Sequence, residues 1–294
     1  MQSRRGTWLI VVSSVFFAMM AVLARHLSAR VPATQLSFVR FAVGAIVMMG
    51  WFLARRERPD VRRPAKLLLR GLFGCGAVLT YFIAIERLGS GPATVLNYCS
   101  PIWAAVFAGL VLGERPSGAA RLGLGLATIG AVLVAIATGE FRQPLSPGLG
   151  GLAGLASGVF GGAAITVIRS LRQDTGASTV FLAFSVVGAA ICGPLSAPRW
   201  VALEGDLLGA ALVMGLLSVG GQLLFTFGMG FTSATAGSAI TQLVPVLAWA
   251  LGFTVLHEPL VPLSAFGALL CVCGVLWGAL APPLRATPAG PPSG

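Results

Sequence analysis

The chain is short of charge, and of acids above all. Only 10 % of its 294 residues are charged; nine are Asp or Glu, and two are His. A soluble domain carries about 25 % charged residues and about 45–50 % apolar ones, glycine included. Here hydrophobic residues reach 56 % before 39 glycines are added, and the mean hydropathy is +0.89. No soluble core buries so much apolar surface. The chain reads as an all-α integral membrane protein.

The same shortages exclude particular chemistries. No Asp or Glu lies deep in an apolar run, and His26 and His257 stand at run ends. An intramembrane enzyme needs a nucleophile–base pair or clustered carboxylates, and neither is present. Cys75, Cys99, Cys192, Cys271 and Cys273 all fall in apolar stretches. An odd, buried set is neither a disulfide framework nor a zinc site, so they read as small apolar residues. The glycine-rich run at 148–158 lacks the strand–turn–helix context of a nucleotide loop. No metal and no cofactor is expected.

What is abundant is apolar sequence in lengths that cross a bilayer, about 20 residues each. The runs fall near 7–24, 33–54, 67–86, 92–112, 117–138, 147–168, 177–197, 207–230, 233–256 and 261–281. Ten transmembrane helices joined by short turns follow. The net charge of +11 would suggest a nucleic-acid partner in a soluble chain; in a membrane chain it is a topology signal. With the N-terminus inside, 14 Lys and Arg residues fall on inner segments, Arg70 among them, and five on outer loops. Acids divide four to five, so the inner face carries +10 and the outer face nothing. Both termini are therefore expected in the cytoplasm of a bacterial cell, the protein in its inner membrane, with 282–294 a disordered tail. The remaining charge is Arg40, inside the second span.

An offset of 144 residues aligns the two halves with almost no gaps. Ser13, Val15 and Phe16 fall on Ser157, Val159 and Phe160; Gly71 and Gly76 fall on Gly215 and Gly220. Arg25 meets Arg169, Pro101 meets Pro245, and Glu114 meets Glu258. Glycine matches are cheap in this composition, but the Pro, Glu, Arg and Phe matches are not. The expected units are 1–144 and 145–281, five helices each. A five-span unit crosses an odd number of times, so the second copy enters the membrane upside down. Two inverted five-helix repeats are the architecture of secondary transporters, with the substrate near the midplane at the repeat interface. A channel would instead show rings of like residues around a pore, which two unequal halves fit poorly.

With its ten spans, this duplication, the "VLGERP" and "VLHEPL" segments that close spans 4 and 9, and "LSFVRFAVGA" in span 2, the chain resembles the drug/metabolite transporter superfamily in its EamA-type branch. Within that branch it is most similar to bacterial amino-acid exporters. The resemblance implies a central cavity lined by spans 1–4 and 6–9, with spans 5 and 10 peripheral. It also implies export of an amino acid or similar small metabolite; a purine, nucleotide-sugar or riboflavin-type substrate is the alternative.

Pro101 and Pro245 sit within spans 4 and 9, where each frees a backbone carbonyl four residues earlier, that of Asn97 and of Thr241. Such carbonyls are tolerated at membrane depth where they line a cavity. Around them run polar stripes at helical spacing: Thr94, Asn97, Tyr98 and Pro101, then Ser238, Thr241, Gln242, Pro245 and Trp249. These two faces are the candidate substrate site, joined by Tyr81 and Gln222, with Phe16, Met20, Trp103, Phe160 and Phe225 as further lining. The competing reading has the prolines kinking packed helices and the polar groups bonding to neighbours. Arg40 is the one charge deep in a span, where charge is costly and marks function by default. It either forks onto a substrate carboxylate or phosphate or bonds structurally to helix ends. Its repeat mate is Phe184. Glu114 and Glu258 read as helix caps, with gating or proton coupling the alternative. With no deep acid to carry a proton, exchange or uniport is as open as proton coupling.

Overall fold

A computed structural model describes residues 4–112, 118–137, 148–172, 174–228, 231, 240–241, 243–257 and 261–280. The described helices are α1 (Arg4–Ser28), α2 (Ala33–Arg55), α3 (Pro64–Leu88), α4 (Ser90–Asn97), α5 (Ser100–Leu112) and α6 (Gly118–Ala137). They continue with α7 (Leu149–Leu171), α8 (Ala177–Ser196), α9 (Gly205–Gly228), α10 (Leu243–Leu256) and α11 (Pro262–Leu280). Among the described residues six helices are long and apolar enough to cross a membrane: α1, α2, α3, α7, α8 and α9. Glu114, Gln242 and Glu258, and the tail at 282–294, lie outside the described residues, as does Ser238.

The fourth run is not the single span expected over 92–112. It breaks at Tyr98 and Cys99 into α4 and α5. The cause is Pro101, which has no N–H to give Asn97 and whose ring crowds the carbonyl four residues back. The chain responds ahead of the proline, with Tyr98 N–H bonding Thr94 O at 2.9 Å and Cys99 N–H bonding only three residues back, to Leu96 O. A new helix then starts at Ser100.

Packing between the halves is reciprocal. α3 lies along α7 while its repeat mate α9 lies along α1, and α2 faces its own mate α8, as α6 faces α11. The reciprocity extends to single residues. Phe16 rests on the backbone at Gly220, where a Cβ would stand 2.7 Å from its ring, and Phe160 rests on Gly76, where a Cβ would stand at 3.0 Å. Gly71 likewise receives Val187 while Gly215 receives Val43; each of these pairs is the other shifted by 144. Without a hydrophobic force between helices in lipid, small residues that admit a neighbour's side chain are what drives such contacts. α6 and α11 cross closest of all, a Cβ at Gly130 falling 2.5 Å from the Gly267 carbonyl.

The polar connections collect at two opposite ends of the bundle. At one, Arg30 pairs with Asp206 at 3.1 Å, Gln35 exchanges two hydrogen bonds with the Val201 backbone, and Glu86 accepts the Ala33 N–H that opens α2, at 3.1 Å. At the other, Arg63 pairs with Asp174 and Thr179 accepts the Asp60 N–H at 3.1 Å. The main core lies between, from Phe41 and Met48 on α2 through Phe82 on α3 to Phe184 on α8 and Met214 on α9.

Candidate functional site

Between the halves lies a cavity of about 150 Å³. The first repeat contributes Phe17 and Met20 from α1, Arg40 from α2, the face of α3 from Arg70 to Tyr81, and Asn97, Tyr98, Ser100 and Pro101 at the α4–α5 break. The second contributes Gly161, Ala164, Ile165 and Ile168 from α7, Phe184 from α8, Gln222 and Phe225 from α9, and Thr241. Both halves are needed to close it.

Seven of the residues expected at the site therefore line one space: Arg40, Tyr81, Asn97, Tyr98, Pro101, Gln222 and Thr241. Gln242 lies outside the described residues. Pro245 and Trp249 are elsewhere. Pro245 is buried on α10, which packs against α1 and α4. The Trp249 indole lies against the backbone of α4 at Gly91, in an apolar cluster with Val95, Leu96 and Cys99. Helical spacing put these two on one stripe with Thr241, but the stripe turns away from the cavity below it. Of the further lining residues, Met20 and Phe225 reach the cavity; Phe16 and Phe160 fill glycine notches, and Trp103 packs where α5 meets Gly162.

The polar groups of the lining are mostly held by neighbours. Tyr81 donates to Thr94 Oγ1 at 2.7 Å, and Thr94 donates in turn to Ser90 O. Asn97 donates its amide to Ser157 Oγ at 3.1 Å, and Ser157 donates to Gly154 O. Gln222 Nε2 reaches Thr226 Oγ1 at 3.4 Å. At the break before Pro101, a Cβ at Gly158 would stand 2.9 Å from Leu96 O and 3.7 Å from Asn97 O, so the carbonyls there lie beside α7.

Charge at the site is greater than the sequence reading allowed. Arg70, assigned there to the cytoplasmic surface, is 4 % exposed, against 7 % for Arg40. Its guanidinium lies over the Phe184 ring, 4.0 Å from the centroid, in a notch kept open by Gly74, where a Cβ would collide with Nη1. Arg40 sits 5.9 Å from the Phe82 centroid and gives Nη1 to Met20 Sδ at 3.4 Å, a weak acceptor. Arg40 Nε and Arg70 Nε and Nη1 have no hydrogen-bond partner among the described residues. A signal for Arg70 was present in the chain. Arg70, Gly74, Ala77, Val78 and Tyr81 recur at the spacing of one helical face, and all five line the cavity.

A helical bundle with apolar spans and an internal cavity lined from both halves has the form of a membrane transporter. The chain belongs to the EamA-like transporter family, whose profile matches it twice, over residues 4–136 and 148–278. It is 28 % identical over 251 residues to the pseudopaline exporter CntI of Pseudomonas aeruginosa, covering 83 % of this chain and 84 % of that one. It is 27 % identical over 293 residues to a probable terminal-alkyne amino-acid exporter of Streptantibioticus cattleyicolor, covering 94 % of each. A protein of known crystal structure shares its fold with a TM-score of 0.69 at 21 % identity, over 95 % of this chain and 98 % of that one.

Proposed function

We propose that this transporter exports amino acids or related small metabolites across a bacterial inner membrane by alternating access, with both termini in the cytoplasm. The observation that carries this reading is the placement of the cavity at the seam between two reciprocally packed halves. Taking 1–144 and 145–281 as inverted copies, a rigid rocking of one against the other opens the cavity first to one face and then to the other. The relatives named as exporters support the direction. Seven lining residues act as the substrate contacts, Tyr81, Asn97, Tyr98, Gln222 and Thr241 supplying uncharged polar groups in a wall that also holds Arg40. No nucleic acid is involved, and transport runs by uniport, by exchange or with a proton.

Counterflow tests it. Proteoliposomes loaded with an unlabelled amino-acid mixture should accumulate a labelled member transiently and saturably. Uptake that rises linearly with concentration and shows no trans-stimulation belongs to a channel and would contradict the reading.

A further inference from the structure

Two buried guanidiniums face one small cavity, and that requires an explanation in charge. A cation at membrane depth is costly unless it finds a partner. The described cavity lining contains no Asp or Glu. Three of the arginines' N–H-bearing nitrogens are without acceptors among the described residues. The aromatic faces of Phe82 and Phe184 offset part of this cost, but an arene accepts no forked hydrogen bond. The site is built for an anion it does not itself supply.

The geometry also sets how many anionic groups fit. The Arg70 guanidinium is at the level of Gly74, against which it packs. The Arg40 guanidinium lies instead 5.9 Å from the Phe82 centroid. On α3 Phe82 follows Gly74 by eight residues, about 12 Å of helical rise. The two guanidiniums therefore stand against different turns of α3. Each can take its own in the bidentate manner of arginine.

We propose that the cavity selects metabolites with two anionic groups several bonds apart, one held by Arg40 and the other by Arg70. The inference rests on the transport reading only for the passage of such a molecule, not for its binding. Carboxylate and phosphate share the required chemistry, and the mostly neutral site anticipated from sequence is replaced by a dicationic one.

The test uses L-glutamate against its uncharged isostere L-glutamine, and O-phosphoserine against serine, with purified protein. Efflux from proteoliposomes and the shift in melting temperature are both read. Wild type should export and be stabilised by glutamate at least about tenfold more effectively than by glutamine, as expected where a buried polar site rejects the analogue lacking its partner. R70Q should bring the two within about twofold of each other. R70K should retain part of the preference, since it keeps the charge and loses the fork. G74A, which displaces the guanidinium without removing it, should lower the preference as well. Phosphoserine outperforming glutamate would assign the anion as phosphate. Equal handling of glutamate and glutamine by wild type, with saturable flux, overturns the proposal and leaves the carrier intact. A preference unchanged in R70Q, with only melting lowered, also overturns it. Glutamate-specific stabilisation without flux of any probe upholds the anion site and contradicts transport.

Discussion

Arg70 holds its guanidinium 4.0 Å over the ring of Phe184, and Phe184 is what the second half carries where the first carries Arg40. Position 40 of one repeat and its mate in the other thus reach the same cavity in different roles, one a cation and the other a platform for a cation. The pseudo-symmetry that shapes the bundle is broken in its lining. A carrier can keep symmetry where helices rock and abandon it where the substrate sits.

The stacking predicts the outcome of Phe184→Leu. Leucine keeps most of the bulk but offers no π face to the guanidinium. The variant should be less stable by about 1 kcal/mol, within the range for a desolvated cation–π pair. Denaturation of the detergent-solubilised protein checks this, and an unchanged melting point would mean that the ring only fills space.

The crossing of α6 and α11 predicts a larger loss. A Cβ at Gly130 already meets the Gly267 carbonyl at 2.5 Å, and backbone cannot step aside as a side chain can. Gly130→Leu should cost about 1–3 kcal/mol or more, the range for overpacking, and lower the folded yield. Gly118→Leu, with nothing within 4 Å, is the control and should express normally.

Asn97→Ala and Gln222→Ala test the polar wall. The Asn97–Ser157 bond joins α4 to α7, and such interhelical bonds average about 0.6 kcal/mol in membranes. Stability should therefore change little while transport falls. If both variants folded and kept wild-type kinetics, the polar wall would have no part in recognition.

The distribution of charge predicts the orientation. A single cysteine at position 58, on the connection between α2 and α3, should react with a membrane-impermeant maleimide only from the cytoplasmic side. One at position 206, beside Arg30 at the opposite end, should react from outside in intact cells. The reverse pattern would invert the topology.

The helical membrane fold was legible because each of its signals is long. A repeat held in one register over five spans does not depend on any single residue, and Gly76 and Phe160 both appear in it before their contact is known. The site was legible in part. Tyr81 and Gln222 stood out because a polar tip in lipid needs a partner, and each has one, in Thr94 and Thr226. Trp249 was misplaced because a helical face says which residues share a direction, not what that direction meets; here it meets Gly91. Arg70 was assigned to the surface because it lies only six residues into α3. A charge near a span end normally snorkels to water, and only Gly74 beneath it and Phe184 above make the inward rotamer possible. Depth along a helix can be read from a chain. The choice of a long side chain between two exits depends on tertiary contacts.

The central claim is that substrate passes through the cavity between the halves, and Ala77→Trp tests it most directly. Ala77 faces that cavity from the middle of α3, where an indole would occupy most of a space of about 150 Å³. The account predicts a folded protein, with melting within a few degrees of wild type, and loss of nearly all saturable counterflow. Counterflow at the wild-type rate through the blocked cavity would contradict it.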